Sequence, residues 1–211
     1  MNNTIKIKTS WDEVTLSEFL AIAEIKNDEE LKEANILRAT KMIAALSNKS
    51  EKEVLSYSRD MFATLLPKIT FIFNQDAKDL SGKPFLVGGV KYMFIKDFNN
   101  LSTGEMVSVE TLLSQASKDQ KSYLPGLLAI LIRPAIEYKT ETGKKRFKVK
   151  EFDAEDLAER EELFLRELKV PYFADRISAF MLGTKTLNEI TNPFSVSTNQ
   201  IKKEIEKSLG L

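Results

Sequence analysis

The feature that most constrains this chain is the stretch Pro84-Phe-Leu-Val-Gly-Gly-Val-Lys-Tyr-Met-Phe-Ile95. Two apolar, β-rich runs flank Gly88-Gly89, and a two-residue primed turn between such runs needs positive φ, which glycine adopts without steric cost. The pattern predicts a central β-hairpin over about 84–95. On either side the sequence reads mostly as amphipathic helix. The expected fold class is mainly α, or α+β by strict count, with two helical halves around this hairpin.

Before the hairpin, Thr4-Ile-Lys-Ile-Lys8 alternates polar and apolar residues, as a short edge strand would. Thr15 and Glu18 have the spacing of a capping box, and Leu16, Phe19, Leu20 and Ala23 share one face of the helix it opens. Trp11 and Val14 precede that cap and are placed to pack on its first turn, with Trp11 as a core anchor. A second helix is expected from Glu30 to Leu46, with Ile36, Leu37, Thr40, Ile43 and Ala44 on a wide apolar face. Ser50 and Glu53 form another capping box. The helix it opens is expected to run to Pro67 through Val54, Leu55, Ser58, Met61, Phe62 and Leu65. Ile69 to Phe73 is too short to assign to strand or helix.

After the hairpin, Ser102 and Glu105 repeat the capping box ahead of Met106, Val109, Leu113 and Ala116. The run Leu124-Pro-Gly-Leu-Leu-Ala-Ile-Leu-Ile132 is apolar all round and predicts a central core helix ended by Arg133-Pro134. Ile136 and Tyr138, then Phe147 and Val149, alternate with polar residues across Thr142-Gly143. They predict a second, more exposed hairpin over about 135–150. Asp153 to Leu168 reads as an acidic helix with Leu157, Phe164, Leu165 and Leu168 inward. Pro171 opens a further helix carrying Phe173, Ala174, Ile177, Phe180 and Met181, closed by Gly183.

The expected organisation is one mainly helical domain over 1–191, with a sub-boundary allowed near 76–83, then a linker and short docking helix over 192–211. In that last helix the apolar stripe is only Ile201, Ile205 and Leu209. About four turns are too few to hold without tertiary contacts, so the stripe is a candidate partner-binding surface.

Composition removes most chemistry. The chain has no cysteine and no histidine, so thiolate nucleophiles, disulfides, most zinc sites and the commonest general base are missing. No phosphate-loop motif occurs, because no Gly-Lys pair has a glycine five residues before it. The acidic run Glu151, Asp153, Glu155, Asp156, Glu159, Glu161 and Glu162 has the spacing of a solvated helix face. We expect no enzymatic activity, no metal, no cofactor and no small-molecule substrate.

Charge is balanced, 31 basic residues against 31 acidic, which argues against a dedicated nucleic-acid binder and leaves self-association electrostatically unopposed. One local exception is Lys144-Lys-Arg-Phe-Lys-Val-Lys150. Strand alternation would put Lys144, Arg146, Lys148 and Lys150 on one face, where they could touch phosphates or simply block edge pairing. The longest apolar run, Leu127 to Ile132, is far shorter than the ~20 residues of a membrane span, and Met1 to Lys8 has no signal-peptide core. A protein made in a cytoplasm, with no membrane partner, is expected.

The opening Ser10-Trp-Asp-Glu-Val-Thr-Leu-Ser-Glu-Phe19 resembles small accessory proteins encoded in the structural gene blocks of tailed bacteriophages. So do Gly89-Val-Lys-Tyr92, Leu101-Ser-Thr-Gly-Glu105 and Leu124-Pro-Gly-Leu-Leu-Ala-Ile-Leu-Ile-Arg-Pro134. The likeness is to phages of Bacteroidetes hosts, crAss-like ones included, and covers roughly Ser10 to Pro134. It implies a non-enzymatic virion component, made in the host cytoplasm and packed against other phage structural proteins or copies of itself. Its alternative is a tail-assembly chaperone binding an apolar partner segment. A nucleic-acid-contacting accessory protein is the third reading. The resemblance supplies no functional residues.

Overall fold

Helix α6, Tyr123–Leu131, runs through the middle of the core with every residue buried, as its all-round apolar sequence requires. The computed structural model describes residues 5–31, 34–73, 83–95, 101–116, 123–174 and 177, with the side chains of 113–116 excepted. Within these the fold is mainly helical with one antiparallel sheet, α+β by strict count. The N-terminal half contains α1 (Leu16–Asn27), α2 (Asn35–Ser47), α3 (Glu51–Leu55), α4 (Arg59–Leu65) and a 3-10 segment, Leu66–Phe73. Then come β1 (Phe85–Val87), β2 (Val90–Phe94), α5 (Thr103–Ala116), α6, β3 (Ile132–Lys139), β4 (Lys145–Val149) and α7 (Leu157–Glu167).

The helix starts follow local chemistry. Thr15 N–H donates to Glu18 Oε2 at 2.8 Å, Ser50 N–H to Glu53 Oε2 at 2.9 Å, and Ser102 N–H to Glu105 Oε2 at 2.6 Å. All three expected capping boxes therefore satisfy N–H groups that a helix start leaves unpaired. Trp11 packs edge-on against Phe19, with centroids 6.0 Å apart, and against Phe71 at 5.3 Å. Leu16 N–H donates to Leu168 O, and Val170 N–H to Val14 O, tying the end of α7 to the start of α1.

The central hairpin forms where its glycines demand it. Gly88 and Gly89 have φ of +56° and +79°, and Phe85, Leu86 and Val87 pair with Tyr92, Lys91 and Val90. Gly88 carries a second constraint. A Cβ built on it would lie 2.8 Å from Leu163 Cδ1, so the turn is seated on α7.

The two expected hairpins turn out to be one sheet of order β1-β2-β3-β4. Tyr92, Met93 and Phe94 pair with Pro134, Arg133 and Ile132, and from Ala135 onward β3 pairs with β4 alone. Here the expected end of the core helix is corrected. The helix stops at Leu131, and Arg133-Pro134 lie inside a strand that follows with no loop. Apolar residues from Ile7 to Ile177 join in one core cluster.

Other expectations also need correction. Residues 5–9 form no strand; Lys8 N–H instead bonds Leu46 O, and its ammonium pairs with Glu18. The helix expected from Glu30 starts at Asn35. This puts Ile36 and Leu37 in an exposed first turn, while Thr40, Met42, Ile43, Ala44 and Leu46 are buried. The helix expected to run unbroken to Pro67 is interrupted at Ser56–Ser58, because Ser58 caps α4 by accepting a bond from Met61 N–H. Leu55, expected inward, is exposed as a result; Met106 on α5, also expected inward, is exposed as well. The expected helix from Pro171 begins as a 3-10 turn with Phe173 and Ile177 buried; Phe180, Met181 and Gly183 lie outside the described residues.

The two turn glycines separate the cost of backbone strain from that of packing. Gly89→Ala, with nothing within 4 Å of its new methyl, should destabilise by about 1–2 kcal/mol through the left-handed backbone alone. Gly88→Ala adds the contact with Leu163 and should cost more. Urea unfolding of the two variants checks the order.

Candidate interaction surface

Beyond Pro134 the sheet narrows to a two-stranded arm. The register sets Ile136 opposite Lys148 and Tyr138 opposite Arg146, so these four side chains share one face. Of the four expected cations this register places Arg146 and Lys148 on one face, and Lys144 and Lys150 flank β4 at the next alternate positions. At the root, Lys150 N–H bonds Pro134 O; at the tip, Gly143 has φ of +75°. Ile136 and Tyr138 remain 43% and 41% exposed.

The two faces of the arm differ in how their charge is matched. On the face with Phe147, Lys145 Nζ lies 2.7 Å from Glu137 Oε1, and Lys91 Nζ sits 5.3 Å from the centre of the Phe147 ring. The Lys145 contact lowers the Glu137 carboxyl and raises the Lys145 ammonium relative to their ordinary values. On the other face only Lys150 has an acidic partner, Asp156 Oδ2 at 3.0 Å. Among the described residues Lys144, Arg146 and Lys148 pair with no carboxylate.

The acidic run is spread over several jobs. Asp156 is held below the ordinary carboxylate range by its bond from Lys150, with Arg160 adding to the effect. Arg160 is buried, donates from Nη1 to Ala129 O at 2.6 Å, and lies 3.6 Å from Asp156. Asp153 accepts from the Glu155 N–H, which is local turn chemistry. Glu161 is half-buried against α6, near Gly126. Among the described residues no group of three or more His, Cys, Asp or Glu stands close enough to hold a metal ion. A groove of about 430 Å³ between α1 and α2 mixes Glu24, Asp28 and Glu51 with Lys41 and Lys49. It sets up no recognisable chemistry. No helix among the described residues is long and apolar enough to cross a membrane.

Of the expected site residues, Lys144, Arg146, Lys148 and Lys150 come together on the arm. Ile201, Ile205 and Leu209 lie outside the described residues. The sequence reading missed Tyr138 and Ile136 as members of the cation face. Their alternation was visible, but which cations they oppose depends on the register across the turn. Comparison with family models, with curated proteins and with solved structures gives no match.

Burial raises the Glu161 carboxyl above its ordinary value, with Glu162 adding to it. A carboxyl raised by folding leaves stability intact below its unfolded pKa and subtracts from it as pH climbs through the folded one. Glu161→Gln should therefore stabilise the protein at neutral pH and match the parent at acid pH, where both side chains are uncharged. Urea midpoints at the two pH values test this.

Proposed function

We propose that this protein works by binding rather than by catalysis, as a structural component of a tailed-phage particle in which neighbouring subunits cover its exposed surfaces. The observation that carries the reading is the β3–β4 arm. Beyond Pro134 its two strands pair only with each other, and Ile136 and Tyr138 on it are exposed. A two-stranded ribbon is marginal in water alone, and covering one of its faces against a neighbour removes that weakness. Leu86 and Val90 on the hairpin and Met106 and Val107 on α5 are further exposed apolar side chains that a neighbour would bury. Zero net charge leaves close packing of copies unopposed at long range. The resemblance of Ser10 to Pro134 to phage accessory proteins supports the particle as the setting.

Mass spectrometry of purified particles tests the reading. Stoichiometric presence is expected; absence from mature particles overturns it in favour of an assembly chaperone.

The stripe Ile201, Ile205 and Leu209 gives a second test. Deleting Ser197 to Leu211 should impair assembly while shifting the melting temperature of the isolated protein little, because the segment docks on a neighbour. A truncated protein that unfolds outright while monomeric would place that segment in the core instead.

A further inference from the structure

We infer that the face of the β3–β4 arm carrying Tyr138, Ile136, Lys144, Arg146 and Lys148 is a contact site for single-stranded nucleic acid, independently of whether the chain resides in a particle. Three observations converge on it. First, the charge of the arm is segregated. On one face Glu137 pairs with Lys145 and lies near Lys91 and Lys139, and Lys91 sits over the Phe147 ring, whereas Lys144, Arg146 and Lys148 on the other have no acidic partner among the described residues. Edge protection against strand addition needs lysines on the strand but gives no reason to leave one face unmatched.

Second, alternate residues on a strand recur about every 6.8 Å, so the three cations form a row with a regular step. That step is on the scale of the repeat between successive phosphates in an extended single strand.

Third, Tyr138 lies directly opposite Arg146, and Ile136 directly opposite Lys148, both about two-fifths exposed. An aromatic and an aliphatic side chain beside a row of cations provide a stacking platform for bases whose phosphates follow the row. Paired bases in a duplex hide the faces that such a platform uses, which favours a single strand. The balanced charge of the whole chain fits an auxiliary contact rather than a dedicated binder.

The test is fluorescence anisotropy with a labelled oligothymidylate and the full-length protein across a salt series. Three phosphate contacts predict a slope of log K against log salt of about −2. The combined variant Lys144→Ala, Arg146→Ala, Lys148→Ala should bring that slope close to zero. Tyr138→Ala should weaken binding about tenfold with the slope unchanged, and Tyr138→Phe should restore it. Unchanged circular dichroism and melting show that the variants fold.

Absence of binding at the lowest salt would overturn the proposal, as would a triple variant that keeps the parent slope. Duplex bound as tightly as single strand, with no loss in Tyr138→Ala, would reduce the site to a backbone contact and refute the stacking role. Competition by polyglutamate equal to that by the oligonucleotide, again with Tyr138→Ala indifferent, would assign the face to an acidic protein partner.

Discussion

The C-terminal end of α6 is buried together with Ile132 and Arg133 that follow it, and the way its carbonyls find donors organises much of the molecule. The last carbonyls of a helix have no partner inside it, so a buried C-terminus must import donors. Arg160 of α7 supplies one to Ala129 O, and Ile95, just past β2, supplies another to Leu131 O. The first fixes α7 against α6. The second brings β2 alongside the chain as it leaves the helix, and the β2–β3 ladder starts one residue later. A guanidinium at a helix C-terminus also opposes the negative end of the helix dipole. Burial pushes the Arg160 guanidinium below its ordinary value, and Asp156 acts against that shift. Because Asp156 also receives Lys150, a line of polar contacts runs from the core helix to the root of the arm.

A second buried cation sits one step along the chain. Arg133 and Glu105 are both almost fully buried, with Nη2 and Oε1 3.2 Å apart. Glu105 is also the capping carboxylate of α5, so one side chain closes a helix start and neutralises a strand residue. Such a pair contributes little net stability, since desolvation of both ions offsets most of their attraction, but it penalises any packing that separates them. Burial lowers the Arg133 guanidinium from its ordinary value and Glu105 counters it. The pair acts less as glue than as a registration mark between α5 and the sheet.

What was legible in the sequence was local. The three capping boxes, the Gly88-Gly89 turn and the second turn at Gly143 each depend on residues within four positions of one another, and each formed as read. Errors arose where a distant partner decided the outcome and, at Ser58, where a local cap competed with an otherwise regular helical pattern. Thr4 to Lys8 alternate correctly for a strand, but Ile5 to Lys8 pair with no strand among the described residues, and Lys8 N–H is taken by Leu46 O. Val54 to Leu65 keep helical spacing across Ser56–Ser58, and periodicity alone cannot see that Ser58 competes with the helix as a cap. The union of two hairpins into one sheet rests on Phe94 meeting Ile132, 38 positions away. At the arm, alternation put Arg146 and Lys148 on one face, as the register does. It could not say that Asp156 would take Lys150 or that Glu137 would take Lys145, which is what distinguishes the two faces.

Pro134 shows how the arm and the core can belong to one strand. Proline offers no N–H, so within a sheet it fits where a ladder ends or lies at an edge. It occupies the last position that β3 shares with β2, and its carbonyl already accepts from Lys150 beyond the end of β4. A residue on an antiparallel strand directs its N–H and C=O to the same side, so the missing donor falls at the margin of the β4 ladder rather than in its middle. The same residue that the sequence presents as a helix stop therefore marks where β3 passes from the covered sheet to the exposed ribbon. Ile132 and Arg133 before it are buried; Ile136 and Tyr138 after it are exposed. The arm is thus the continuation of a strand whose first residues belong to the core, and its Ile136 and Tyr138 face lies exposed.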